Sequence, residues 1–248
     1  MARNTESNGY TVAFATAMVL IVGALLAFVA SSLKEKIAEN KRIEKQQNIL
    51  YAMGVNNNDE TSVEFVSKAN VESDFSKYIV KQLVITGADF VEDSNAYLID
   101  IKVEAEKAKN PSYKRRLPLF IGEKDNKEFY IVPVRGKGLW DAIWGYVALD
   151  NQLVIQGVYF DHAGETPGLG SNIKERFFMD DFAGEHIMDG DEFKGVDVAK
   201  GNADPKNLRK DDFAVDAIAG ATITGNGLAA MLKKDLQLYL PYFKTLKQ

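Results

Sequence analysis

No charged residue occurs between Glu6 and Lys34, and a run of that length and polarity leaves a chain few ways to fold. Tyr10 to Ser31 contains ten Leu, Ile, Phe or Val residues. Each is worth about −0.3 to −0.6 kcal/mol at the centre of a membrane helix, which outweighs the few small polar residues among them. Rising about 1.5 Å per residue, the segment spans the roughly 30 Å hydrocarbon core. A cleaved signal peptide would have a shorter apolar region, about 7–15 residues, before an A-x-A-like site, and Val29-Ala-Ser31 matches that site poorly. The expectation is therefore a retained anchor, with a short tail over residues 1–9 and a transmembrane helix over 10–32. Leu33 to Met53 continues as a charged amphipathic helix with Leu33, Ile37, Ile43 and Leu50 apolar. Gly54 marks its stop, giving a juxtamembrane helix over 33–54. Lys34, Lys36, Lys41, Arg42 and Lys45 follow the anchor, against Arg3 before it. The positive-inside rule accordingly places the following domain in the cytoplasm.

The remainder, residues 55–248, is long enough for one well-packed domain. A net charge of −5 with scattered lysines leaves no basic stripe for a nucleic acid. The absence of Cys excludes disulfides, cysteine-ligated iron–sulfur clusters and thiol catalysis. His162 and His186 are the only histidines and lie well apart in sequence, which argues against a bis-histidine haem or zinc site. Asp180, Asp181, Asp189, Asp191 and Glu192 form an acidic run that lacks the alternating ligands of an EF-hand loop. It reads as a solvated face, and no metal site is expected. If the chain carries electrons, an organic cofactor must hold them.

From Leu117 onward the pattern is one of strands. Leu117–Ile121, Phe129–Val134, Ile143–Leu149 and Leu153–Phe160 are β-branched or aromatic runs separated by Gly, Asp and Asn. The short link between Leu149 and Leu153 predicts an antiparallel hairpin. Ile173–Phe182 and Leu228–Tyr239 read as helices, the second with a stripe of Leu228, Met231, Leu232, Leu236 and Tyr239. Strands that follow one another without βαβ alternation indicate an α+β domain: an antiparallel sheet with packed helices. Residues 55–75, including Asn56-Asn-Asn-Asp-Glu60, read as a loop, and the stretch on to about Lys109 as a solvated surface region.

The stretch Asp216-Ala-Ile-Ala-Gly-Ala-Thr-Ile-Thr224, followed by Gly225-Asn-Gly227, carries the most chemistry. Its small residues let another molecule approach the backbone, and it brings Thr222 and Thr224 to the start of the last helix. Such a start offers unpaired N–H groups and a positive dipole end, which favour a phosphate. The same residues also serve as ordinary caps for a helix from Leu228 onward. The two readings are compatible, because a capped helix start is where a phosphate sits. In Gly164-Glu-Thr-Pro-Gly-Leu-Gly170 the proline and glycines fix a turn whose backbone can come close to a flat ring. An ordinary surface turn would have the same composition.

Ala219-Gly-Ala-Thr-Ile-Thr224, preceded by Asp216, resembles the (Ser/Ala)-Gly-Ala-Thr-x-Thr signal of the FMN-binding domain family, with Ala219 where Ser is usual. Glu165-Thr-Pro-Gly-Leu-Gly170 resembles a loop of the same family. Gly136-Lys-Gly-Leu-Trp140, leading to Trp144-Gly-Tyr-Val, resembles the segment before that loop in the C-subunit family of sodium-translocating NADH:quinone oxidoreductases. The resemblance covers the anchor and most of residues 130–240.

It implies a covalent FMN, transferred from FAD by a flavin transferase and joined as a phosphoester to Thr224. Asp216, Gly220, Ala221 and Thr222 would form the recognition signal, and Thr222, Ala221 and Gly220 would also contact the cofactor. Glu165, Thr166, Gly168 and Leu169 would meet the flavin edge, ribityl chain and ring face, with Trp140 stacking on the ring. Lys206 is a further phosphate candidate, although a lysine there is more often just solvated. The implied role is an electron relay in an assembly that couples NADH oxidation by quinone to sodium export. The chain itself shows no G-x-G-x-x-G opening a βαβ unit, so NADH would be oxidised by a partner. The implied partners are the other membrane, flavin and iron–sulfur subunits. The implied location is the bacterial inner membrane, single-pass, with the FMN domain on the periplasmic side, opposite to the charge rule. Two alternatives remain: the flavin subunit of the related ferredoxin:NAD oxidoreductase complex, and a membrane-anchored sensor or binding module without covalent flavin.

Overall fold

The apolar run folds as the first part of a single helix, α1 (Asn8–Ala52), in a computed structural model that describes residues 7–59, 62–87, 89–200 and 204–246. The tail residues up to 6, Arg3 among them, and Glu60 lie outside the described residues. The chain divides into two units, residues 1–43 and 44–248. In the first, Val12, Phe14, Leu20, Leu26 and Phe28 are all exposed, the pattern of a helix whose solvent is lipid. By length and composition this helix can cross a membrane.

The second unit begins with the last turns of α1, which bury Ile49, Leu50, Tyr51 and Ala52. The helix stops because Gly54 takes φ 77°. Its N–H bonds Tyr51 O at 2.9 Å and that of Val55 bonds Leu50 O at 2.9 Å, the paired bonds that satisfy the last carbonyls of a helix.

A six-stranded antiparallel sheet follows, in the order β2-β1-β3-β4-β5-β6. Its strands are β1 (Ile79–Thr86), β2 (Asp89–Glu92), β3 (Leu117–Lys124), β4 (Lys127–Lys137), β5 (Ala142–Leu149) and β6 (Ile155–His162). The β3–β4 turn places Asp125 and Asn126 at φ 52° and 62°, as the tightest hairpin turns require. Two short helices flank β1 and β2 in sequence: α2 (Val71–Tyr78) and α3 (Ile101–Lys107). Asp100 caps α3, accepting the N–H groups of Lys102 and Val103. Residues 76–109 are thus not merely solvated surface. β1 lies inside the sheet and buries Leu83, Val84 and Ile85, while the pale signal of this region reflects β2, an exposed edge strand.

The helix expected over Ile173–Phe182 is broken. A 3₁₀ turn (Gly170–Lys174), α4 (Arg176–Met179) and a second 3₁₀ turn (Asp180–Phe182) replace it. The interruption is Glu175, whose extended backbone (ψ 147°) ends the first turn. After the break, Phe178 and Phe182 meet edge-on, and Phe182 also lies against Phe160 of β6. Beyond lie two small pairs: β7 (Met188–Asp189) with β8 (Glu192–Phe193), and β9 (Asp197–Ala199) with β10 (Ala214–Asp216), the latter parallel. Two helices end the chain, α5 (Thr222–Gln237) and α6 (Leu240–Leu246).

α5 starts six residues before Leu228, so Thr224 lies within its first turn rather than ahead of it. The helix packs on β4, where Gly136 leaves room for Met231: a Cβ there would lie 2.7 Å from Met231 Cβ. Arg135 N–H donates to Asp235 Oδ2 at 2.7 Å, which fixes the register.

Candidate functional site

β10 ends at Asp216, and six residues later the chain enters α5. Gly220 makes the turn at φ 73°, where a Cβ would stand 2.9 Å from Leu169 Cδ2. Ala221, before the first helical residue, supplies no side-chain cap. The first-turn N–H groups therefore have no side-chain acceptor at the cap, and the helix dipole makes an anion the favourable one. Thr222 and Ile223 are exposed, whereas Thr224 turns inward and is 1% exposed.

Glu165 meets it from the loop after β6. His162, at the end of that strand, accepts the Glu165 N–H on Nδ1 at 3.1 Å, a structural bond that sets the loop. The Glu165 carboxylate is 4% exposed. Its Oε1 accepts the backbone N–H of Trp140 at 2.9 Å and of Asp141 at 3.4 Å. Its Oε2 accepts the hydroxyl of Thr224 at 2.6 Å. Burial pushes this carboxyl up, but the bonds from Thr224 and from the Trp140, Asp141 and Leu139 amides outweigh it and hold the group below the usual carboxylate range. Glycines make the contact possible. A Cβ on Gly138 would lie 2.6 Å from Oε1, and one on Gly170 would lie 2.6 Å from Oε2 and 2.5 Å from Thr224 Oγ1.

A cavity of about 240 Å³ lies over this pair, lined by Leu139, Glu165, Thr166, Leu169, Gly170, Gly220, Ala221, Thr222, Ile223 and Thr224. A second, of about 560 Å³, shares Gly220 and Thr222 with it and extends past Phe177, Phe178, Asp181, Lys200, Pro205 and Asp216. Glu165, Thr166, Leu169, Gly220, Ala221, Thr222 and Thr224, expected from sequence, thus converge on one hollow. Asp216 faces the larger cavity, and its carboxylate accepts the Asp204 N–H at 3.2 Å.

Trp140 stands beside the smaller cavity. Its indole N–H donates to Thr166 Oγ1 at 3.2 Å and the residue is 67% exposed. Gly168, at φ 76°, has nothing within 4 Å of a would-be Cβ and shapes the loop without lining either cavity. Trp144 lies under the Arg135 guanidinium, 5.8 Å from the ring centroid. Lys206 is exposed and lines neither cavity, whereas Lys200 lines the larger one. Leu139, Gly170 and Ile223 also line the smaller cavity, although their place in the motif strings predicts no cofactor contact for them. Phe177 and Lys200 had no sequence signal. Among the described residues no cluster of three His, Cys, Asp or Glu side chains is placed to hold a metal.

The donor set suits a phosphorylated flat ligand. A phosphate fits the first turn of α5, and Leu139, Leu169 and Ile223 offer apolar cover to a ring. Thr224 adds a hydroxyl already paired with an ionised acceptor.

Known proteins resemble this chain in both sequence and fold. A model of the FMN-binding domain matches residues 138–237, a stretch that holds Leu139, Glu165 and Thr224. The C-subunit of the Na(+)-translocating NADH-quinone reductase of Vibrio anguillarum is 28% identical, over 92% of this chain and 90% of its own length. That of Pseudomonas aeruginosa is 29% identical, over 92% and 91%. Among solved structures, the same reductase's C-subunit from Parabacteroides distasonis superposes with a TM-score of 0.72 at 30% identity, covering 85% of this chain and 96% of that one. Shewanella oneidensis NqrC gives 0.68 at 27% identity, over 84% and 98%.

Proposed function

Because the chain belongs to the C-subunit family of the Na(+)-translocating NADH-quinone reductases, we propose that it is the electron-carrying FMN subunit of such a complex, with the FMN phosphate esterified to Thr224. The observation that carries this reading is the meeting of Thr222, Thr224 and Glu165 around one cavity at the uncapped start of α5. FMN takes up and gives out electrons singly or in pairs, so it can link carriers of either kind.

The residues around it have separate tasks. The first turn of α5 receives the phosphate, and Gly220 lets it come close to the backbone. Leu139, Leu169, Ile223 and Trp140 cover the ring and limit water around it. The Glu165 carboxylate lines the same cavity and would be a fixed negative charge beside a bound flavin, which disfavours its reduction. A phosphoester tether leaves the ring itself unaltered, so its potential follows from these surroundings.

α1 anchors the subunit in the bacterial inner membrane, with the FMN domain on the periplasmic side, where a flavin transferase loads it from FAD. The resemblance supports that side, although the lysines after the anchor favour the other. One helix provides no route for an ion, so partner subunits carry the sodium path, and NADH is oxidised by another of them.

The test is Thr224→Ala in the assembled complex. Assembly should persist, while covalent flavin on this subunit disappears and NADH-driven quinone reduction collapses. Undiminished flavin and activity would overturn the reading.

A further inference from the structure

We infer that Glu165 is the proton acceptor for esterification of Thr224, so that this chain supplies one of the catalytic groups for its own loading. The inference rests on the proposed phosphoester and adds to it a chemical role for the residue that the acceptor hydroxyl touches.

Geometry carries the argument. An alcohol is a poor nucleophile until its proton can leave, and a general base must lie within about 2.6–3.2 Å of the oxygen that bears it. Glu165 Oε2 is 2.6 Å from Thr224 Oγ1 and accepts its hydrogen. The two carboxylate oxygens are divided in use: Oε1 is taken by the Trp140 and Asp141 amides, and Oε2 faces the hydroxyl. Such a carboxylate is oriented before any reactant arrives.

Thr224 and Glu165 also line the cavity into which a phosphate would be brought, and the first turn of α5 stands beside them to stabilise its charge. Gly170 keeps the approach free of a side chain, because a methyl group there would overlap both reacting atoms.

The step balances with FAD as the second reactant. A bond forms between Thr224 Oγ1 and the phosphorus that carries the flavin. The bond from that phosphorus to the bridging oxygen of the pyrophosphate breaks, and AMP departs with its electron pair. The hydroxyl proton passes to Glu165 Oε2 and from there to water. No redox change occurs.

Glu165→Gln is the direct test, because Gln Oε1 can still accept the Trp140 and Asp141 amides while its amide nitrogen offers Thr224 no acceptor. The full-length protein in detergent is mixed with FAD and a purified flavin transferase, and adduct formation is followed by intact mass spectrometry. Wild type and variant are compared as initial rates over a range of protein concentration, with Tm measured for each.

The inference predicts kcat for adduct formation about 10²–10⁴-fold lower in Glu165→Gln at a temperature where both proteins are folded, with KM unchanged. Equal kcat values would overturn it, as would a rise in KM alone, which would make Glu165 a recognition residue. If the Gln variant loses its Tm, Glu165→Asp decides. It keeps a carboxylate, set back by one carbon, and should retain more activity than Gln at a temperature where both are folded; equal loss would overturn the assignment. Failure of the underlying reading looks different, because wild type itself would then gain no adduct from a transferase active on a control protein.

Discussion

The hydroxyl of Thr224 and the carboxylate of Glu165 stand 2.6 Å apart, although 59 residues separate them in sequence. One comes from the first turn of α5 and the other from the loop after β6, so the bond ties the two halves of the site together. Both residues are buried, and neither motif can be moved without disturbing the other.

Gly170→Ala tests that closeness. Its Cβ would lie 2.5 Å from Thr224 Oγ1, 2.6 Å from Glu165 Oε2 and 3.2 Å from Glu165 Cβ. Overpacking of this kind costs about 1–3 kcal/mol. Urea unfolding should show that loss, and flavin fluorescence of the denatured protein should show little or no cofactor. Wild-type loading in the Ala variant would mean that the site relaxes freely.

Acid should destabilise the domain through Glu104. This carboxylate is 1% exposed; it accepts from Tyr113 Oη at 2.6 Å and from Arg116 Nη2 at 2.7 Å. Burial raises its pKa, but the Arg116 and Tyr113 bonds win and lower it from 4.5 to about 2. A depressed carboxyl stabilises the fold above its unfolded pKa, and that contribution is lost as pH falls from about 4.5 toward 2. The full loss is about 3 kcal/mol at about 1.4 kcal/mol per pH unit. Thermal unfolding of Glu104→Gln should be much less sensitive to pH in that window than that of wild type.

Glu185 should act in the opposite sense. It is fully buried, with Lys210 Nζ 3.8 Å away, and burial pushes its pKa from 4.5 up to about 7 despite that lysine. A raised carboxyl stabilises the fold below its unfolded pKa, and the contribution disappears as pH climbs through about 7. Glu185→Gln should therefore raise Tm at pH 8.5 relative to wild type and change it little at pH 4. A fall in Tm at pH 8.5 would show that the Lys210 pair outweighs desolvation.

Tyr239→Phe probes the packing of the C-terminal helices on the sheet. The buried hydroxyl donates to Pro118 O of β3 at 2.9 Å, and removing it should cost about 1–3 kcal/mol by leaving that carbonyl short of a donor. Chemical denaturation would measure this, with loading of the site unaffected.

Much of this architecture was legible in the sequence where residues carry local meaning. The strands from Leu117 onward announced themselves through β-branched and aromatic runs broken by turn residues such as Asp125 and Asn126. β1 was missed because Lys81 and Gln82 interrupt its apolar residues, and its buried run is confined to Leu83, Val84 and Ile85. The break at Glu175 was missed because no Gly or Pro marks it: Glu175 takes an extended backbone inside a stretch whose residues suit a helix.

At the site, the motif strings named most residues that line the smaller cavity. They could not show that Thr224 is buried, or that Glu165 is its partner. A bond between side chains 59 residues apart depends on how β6 and α5 are brought together, and local pattern does not encode that. Phe177 and Lys200 were illegible for the same reason: they reach the larger cavity only through the folded path of the chain.

The central claim is the ester on Thr224. Its most direct test is peptide mass spectrometry of the protein isolated from its native host, with Thr222→Ala and Thr224→Ala variants alongside. The account predicts one FMN, attached through phosphate to the peptide that contains both threonines, retained to some extent in Thr222→Ala and absent from Thr224→Ala. An unmodified peptide, with FMN released intact on denaturation, or an adduct on any other residue, would contradict it.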